Sequence, residues 1–170
     1  LTIYFNDQYG MPPVEAGYFT AACVFAGSLV RPIGGALSDR IGGIRTLLTM
    51  DVSAALFLTI ASFGSPDPYI ALLWFILGMG SLGVGNGAVF QLVPQRFRKE
   101  IGVMTGFVGM AGGIGGFYLA ASLGYIKGAT GSYQIGLLIF VGLCLVALIG
   151  LSSVKNRWRT TWGAATLARV

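Results

Sequence analysis

The sequence predicts an all-α membrane protein, and three observations carry that prediction. Of 170 residues, 55% are hydrophobic and only 10% are charged, whereas an average soluble domain has about 25% charged residues. Mean hydropathy is +0.77. So few charges cannot keep a soluble surface polar, and the same balance excludes disorder. Second, five apolar stretches of 18 to 26 residues stand along the chain, and a spanning helix needs roughly 20. Third, there are 27 glycines, more than twice the usual share of about 7%. Glycine combined with apolar content points to closely packed membrane helices.

The elements follow in order. Residues 1–5 read as the tail of a helix whose upstream part is expected to be missing, because the chain opens on apolar residues with neither an initiator Met nor a charged leader. The five spans are expected at residues 14–37, 46–63, 69–93, 101–126 and 133–154. Together residues 1–154 form one half-bundle, and residues 155–170 a cytoplasmic tail. The connections are short and carry turn chemistry. Pro12-Pro13 and Pro66-Asp67-Pro68 are strong breakers. No soluble domain fits between them.

Basic residues set the orientation. Arg40 and Arg45 lie in the loop 38–45, and Arg96, Arg98 and Lys99 in the loop 94–100. Lys155, Arg157, Arg159 and Arg169 lie in the tail. Alternating topology puts these nine on one side; Lys127 is the one basic residue opposite, together with Asp7, Glu15 and Asp67. The nine-residue side is therefore expected to be cytoplasmic, with the C-terminus inside an inner (cytoplasmic) membrane. Trp158 and Trp162 suit an interfacial belt. The net charge of +5 is then a topology signal, and no nucleic-acid partner is expected. There is no His, and Cys23 and Cys144 both sit in apolar runs. That excludes a Cys/His zinc site and argues against a disulfide framework. No cofactor or metal is implied.

One basic residue remains, Arg31, inside the first complete span in the run A-G-S-L-V-R-P-I-G-G. A charge at the bilayer centre costs about 2.5–3.5 kcal/mol. Arg31 precedes Asp39 by eight residues, roughly 12 Å along a helix, so it either snorkels to the interface or ligates an anion in a central cavity. A guanidinium presents a planar fork of donors suited to a small oxyanion. Pro32 removes a backbone donor and loosens the helix beside it.

Three further features carry chemistry or packing. The loop G-A-L-S-D-R-I-G-G-I-R holds Gly35, Asp39, Arg40, Gly42 and Arg45. Asp39 is expected to cap a turn and pair with a basic group, and Gly42 and Gly43 to let the chain reverse. This is either a gate-side charge cluster or a tight loop with a basic flank. The stretch G-M-G-S-L-G-V-G-N-G contains a G-x-G-x-x-G match at Gly78, Gly80 and Gly83. It lies within an apolar span rather than between strand and helix, so a dinucleotide site is rejected in favour of close helix contact. Asn86 in that stretch is either a hydrogen bond between helices or part of a cavity lining. The run T-G-F-V-G-M-A-G-G-I-G-G-F places Gly106, Gly109, Gly113 and Gly116 on one face, with Gly102, Gly112 and Gly115 beside them. Such a bare stripe serves helix packing, or a cavity or sliding surface.

The loop resembles the cytoplasmic signature loop of the major facilitator superfamily, with Gly43-Ile44 where a basic pair is usual. More specifically, G-N-G-A-V-F-Q-L-V-P-Q-R-F and the glycine run after it resemble the nitrate/nitrite porter family of that superfamily. The run L-V-R-P-I-G-G-A-L-S-D-R-I-G-G is similar to that family's eighth helix and following loop. The resemblance implies the C-terminal six-helix half of a twelve-helix transporter, beginning at the end of a truncated seventh helix. It implies nitrate or nitrite as substrate, with Arg31 on the anion and the signature on Gly106, Gly109, Gly112, Gly113, Gly115 and Gly116. A second arginine and aromatic residues would come from the missing N-terminal half, and the full-length protein is expected to be a monomer. Asn86 joins the expected lining. Alternatives are a carrier of another small anion or a non-transporting receptor of the same fold. An enzyme is not expected, because no His or Cys sits with a partner acid.

Asp51 is the one acid well inside a span, Glu15 standing at the very start of the first. It follows Arg45 by six residues, roughly 9 Å along a helix, and is expected to pair with a loop arginine. On that reading this half carries no obligatory proton site.

Overall fold

The computed structural model describes residues 1–166, with side chains for all of these except Arg96, Asn156 and residues 158–166. The side chains of Arg96, Trp158, Arg159 and Trp162, and all of Arg169, lie outside the described residues. Among the described residues seven helices follow one another: α1 (Thr2–Tyr9), α2 (Pro13–Leu29), α3 (Arg31–Ile41), α4 (Gly43–Ser62), α5 (Pro68–Arg96), α6 (Ile101–Thr130) and α7 (Gln134–Thr166). Among the described residues there is no strand. Five stretches of the described residues are long and apolar enough to cross a membrane: Pro13–Ile41, Gly43–Ser62, Pro68–Gln95, Ile101–Thr130 and Gln134–Lys155.

The first of these is two helices, α2 and α3, joined at Val30. There the backbone stays near helical values, and the Val30 N–H reaches the Ala26 carbonyl at 3.4 Å. Pro32 explains the interruption, because its ring lacks an N–H and crowds the carbonyl one turn back. Beyond α3 the chain reverses at Gly42, whose φ of 97° suits a residue without a Cβ. Gly43 then opens α4 flush against Leu92, where a Cβ would collide with the leucine side chain.

Several helices outrun their expected ends. The segment α5 passes through Pro94 and stops at Phe97, whose N–H donates to the Val93 carbonyl at 2.9 Å. A proline in the last turn forfeits one hydrogen bond, too little to end an apolar helix early. At its start, Asp67 accepts from the Tyr69 N–H at 2.7 Å, and Pro68 fills the first helical position. The helix α6 runs on to Thr130 and closes at Gly131 (φ 74°), so Lys127 falls in its last turn, where a cation suits the helix dipole. Likewise, α7 continues as helix beyond its apolar part, and α1 extends to Tyr9.

The core lies among α1, α2, α4, α5 and α7. Phe5 and Phe75 are fully buried. The Tyr4 ring meets those of Phe75 and Tyr133 edge-on at 5.2 Å each. Phe5 meets Phe19 at the same distance. Such edge-to-face pairs hold beyond their buried area. One end is tied by Tyr133, whose hydroxyl donates to Asp7 at 2.8 Å, with Lys127 3.8 Å from the same carboxylate. In contrast, α6 has no buried residue among those described and lies loosely beside α5 and α7.

Candidate functional site

Arg31 is the first residue of α3, directly after the break at Val30. Its position is fixed from behind by glycines of α5. A Cβ at Gly87 would strike the Arg31 carbonyl oxygen and come within 3.1 Å of the Gly35 nitrogen. One turn earlier, a Cβ at Gly83 would strike the Gly27 carbonyl, and across the seam one at Gly34 would strike the Val84 carbonyl. Gly78 and Gly85 face side chains of α4 and an added Cβ at Gly80 would meet nothing within 4 Å, whereas Gly83 and Gly87 form a backbone-on-backbone contact between α5 and the broken α2/α3 span. This is how small residues let helices approach in a membrane.

Beside that seam a pocket of about 160 Å³ opens, lined by Val24, Gly27, Ser28 and Arg31 on one side and Met79, Leu82, Gly83 and Asn86 on the other. Arg31 supplies a charged fork of donors, and Asn86 an amide at the facing wall. The Asn86 Oδ1 is buried and has no hydrogen-bond partner among the described residues. A buried amide oxygen without a partner costs free energy.

The glycine run of α6 is not brought to this pocket. Around Gly102, Gly106, Gly109, Gly112, Gly113, Gly115 and Gly116, an added Cβ would meet nothing within 4 Å. No helix of the described chain packs on that face. Gly116 instead lines a second, larger cavity.

At the far end of α3, Asp39 differs from its expected pairing. Its carboxylate accepts from the Gln91 amide of α5 at 2.5 Å, and the buried Ser38 hydroxyl donates to the oxygen of that same amide at 2.8 Å. Gln91 therefore clamps the last turn of α3 to α5. Arg40 and Arg45 are exposed on either side of the Gly42 reversal, and Gly35 lies in the same helix as Asp39, its Cβ position 4.0 Å from the Gly87 carbonyl. Sequence reasoning missed Gln91 and Ser38. The usable signal was a single Gln in an apolar run, which needs a partner when buried.

Asp51 corrects a second expectation. No ion pair within 4.0 Å joins it to Arg45 among the described residues, where the ion pair present is Asp7–Lys127. Asp51 instead faces a cavity of about 480 Å³ whose other lining is apolar apart from Cys144.

A broken spanning helix with an arginine at the break, packed through glycine on its neighbour, defines a polytopic α-helical membrane protein with a charged intramembrane pocket. The chain belongs to the Major Facilitator Superfamily, whose family model matches residues 1–161. It is 38% identical over 148 residues to a nitrite extrusion protein of Bacillus subtilis, covering 84% of this chain and 35% of that protein. It is 34% identical over 160 residues to a probable nitrate transporter of Staphylococcus carnosus, covering 91% and 40%. It is 30% identical over 165 residues to a probable nitrate/nitrite antiporter of Thermus thermophilus, covering 86% and 37%. The subfamily expected from the Arg31 run and the glycine run is the one these relatives carry in their names. The chain spans well under half the length of each of these relatives. No solved structure gave a significant match.

Proposed function

We propose that this chain is the C-terminal half of a twelve-helix nitrate/nitrite carrier working by alternating access. The observation that carries the reading is the Arg31 pocket: an arginine at a helix break that lines one pocket with Asn86, whose buried Oδ1 has no partner among the described residues. A planar oxyanion accepts two parallel hydrogen bonds from such a fork. Its cost of leaving water is met by fixed charge and donors, and Asn86 turns its amine toward it. No bond of the substrate is made or broken, so the role is transport rather than catalysis.

The N-terminal half supplies the other wall of the site, near the membrane midplane where the two halves meet. The open face of Gly106, Gly109, Gly112 and Gly113 lines the route or slides against that half. Gly35, Asp39, Arg40, Gly42 and Arg45 form the cytoplasmic gate, with Gln91 holding Asp39. The full-length protein acts as a monomer in the cytoplasmic membrane with its C-terminus inside.

Reconstituting the full-length protein tests this. Vesicles loaded with nitrite take up nitrate against a protein-free control; a folded protein that moves neither anion overturns the reading. Single-cysteine labels near Asp67 and Lys127 react with an impermeant reagent from outside, and labels near Arg98 do not; the reverse pattern overturns the orientation.

A further inference from the structure

The pocket beside the glycine seam holds a hydroxyl that the anion fork leaves unused. Its two walls are spaced alike. Val24, Gly27, Ser28 and Arg31 stand at i, i+3, i+4 and i+7 along the broken span, and Met79, Leu82, Gly83 and Asn86 repeat that spacing along α5. Each set is one face of a helix. The first stripe runs straight across the break at Val30, because the backbone there stays near helical values. Ser28 and Arg31, three residues apart, are therefore neighbours on that face. Helical side chains lean toward the N-terminus of their helix and cover the turn before their own Cα. For Arg31 that turn is the one carrying Ser28.

The Ser28 hydroxyl is also uncommitted. Other hydroxyls in the spans donate back to the carbonyl four residues earlier, as those of Thr46, Ser53, Thr59 and Ser81 do at 2.6–2.9 Å. That is the ordinary way a helix absorbs such a group. Ser28 makes no side-chain hydrogen bond among the described residues, and it is exposed. With Arg31 and Asn86 it completes the polar side chains of the pocket, whose other lining is apolar or glycine.

Nitrate is planar with three oxygens, and nitrite has two. A guanidinium fork holds two oxygens of either anion in parallel hydrogen bonds. Nitrate then has one oxygen left, and nitrite has none. We propose that Ser28 is a specificity-determining residue, its hydroxyl donating to the third oxygen of nitrate while the Arg31 fork holds the other two. The Asn86 amine comes from the opposite wall and meets an oxygen that both anions possess. The hydroxyl proton is shared and not transferred, so no bond changes. Nitrite in the same place leaves the hydroxyl without its partner, and a site built to bond a group discriminates against an analogue that lacks it. The proposal rests on the carrier reading of the pocket and adds to it a contact that favours nitrate.

Calorimetric titration of the purified full-length protein with sodium nitrate and, separately, sodium nitrite tests this. Ser28→Ala is expected to bind nitrate about tenfold more weakly, as the loss of one hydrogen bond to a charged acceptor implies. Its nitrite affinity and melting curve are expected to stay nearly unchanged, so the ratio of the two affinities falls. Ser28→Cys is close in size and only a weak donor; it is expected to lower the ratio in the same direction and keeps the test open should the alanine variant fold poorly. A general packing role would weaken both anions together and leave the ratio alone. A wild-type ratio in either folded variant therefore overturns the role of Ser28 and leaves the carrier reading standing. A wild type that binds neither anion overturns the carrier reading, and the proposal with it.

Discussion

Adding one methyl group at Gly87 places a Cβ against the carbonyl oxygen of Arg31, and the nearest atoms are backbone on both sides. Backbone cannot rotate out of the way as a side chain does, so α5 and α3 must separate. Alanine gains about 1 kcal/mol over glycine in helix propensity, while overpacking costs about 1–3 kcal/mol. Gly87→Ala is therefore expected to lose stability on balance, by about 1 kcal/mol from these two terms. The same separation shifts the first residue of α3, and a loss of about 1.4 kcal/mol in the Arg31 contact means tenfold weaker anion binding. Gly150→Ala in α7 is the matched control, because its Cβ meets nothing within 4 Å and it lies outside the proposed site. Thermal melting and nitrate titration of the full-length protein read both effects. Gly87→Ala is expected to melt lower and bind nitrate about tenfold more weakly, and Gly150→Ala to melt no lower than the wild type. If Gly87→Ala matches the wild type in both, the glycine seam does not position Arg31 and the reasoning fails.

Three other outcomes follow from the same contacts. Gln91→Ala removes the partner of both Ser38 and Asp39; the exposed Asp39 turns to water, but leaving the buried Ser38 hydroxyl unsatisfied costs about 1–3 kcal/mol, read as a lower melting temperature that Gln91→Glu does not reproduce in full. Tyr133→Phe removes a 2.8 Å hydrogen bond to Asp7 from a buried ring and is expected to lower the melting temperature more than Lys127→Ala. The Lys127 ion pair is 3.8 Å long and partly exposed, so it contributes at most about 1 kcal/mol. Gly109→Leu meets open space within this chain, so folded protein is expected in normal yield while vesicle uptake stops; normal uptake would mean this face points to lipid.

Much of the architecture was legible in the residues because a bilayer imposes simple rules. Apolar runs of spanning length became helices, and Pro12-Pro13, Gly42 and Pro68 fell at their boundaries. Pro32 signalled the break beside Arg31. The span expected to end at residue 93 runs on through Pro94 to Arg96, because a proline in a last turn costs only one hydrogen bond. The Asp51 expectation failed for a geometric reason. Six residues along a helix turn the side chain by about 240°, so Asp51 and Arg45 lie on different faces of α4 even though their separation along the axis is short. Gln91 stayed hidden because its partners, Ser38 and Asp39, are more than fifty residues away in sequence. The α6 glycines show the opposite case: their shared face was plain, but no described helix packs on it.

Arg31→Lys tests the central claim most directly, since it keeps the positive charge and removes the planar fork of donors. The measurement is nitrate affinity by calorimetric titration of the full-length wild type and variant, each shown to be folded by its melting curve. The account predicts a sharp loss of nitrate binding with the melting temperature nearly unchanged. Nitrate binding equal to that of the wild type would mean that Arg31 serves the helix break alone and that the anion site lies elsewhere.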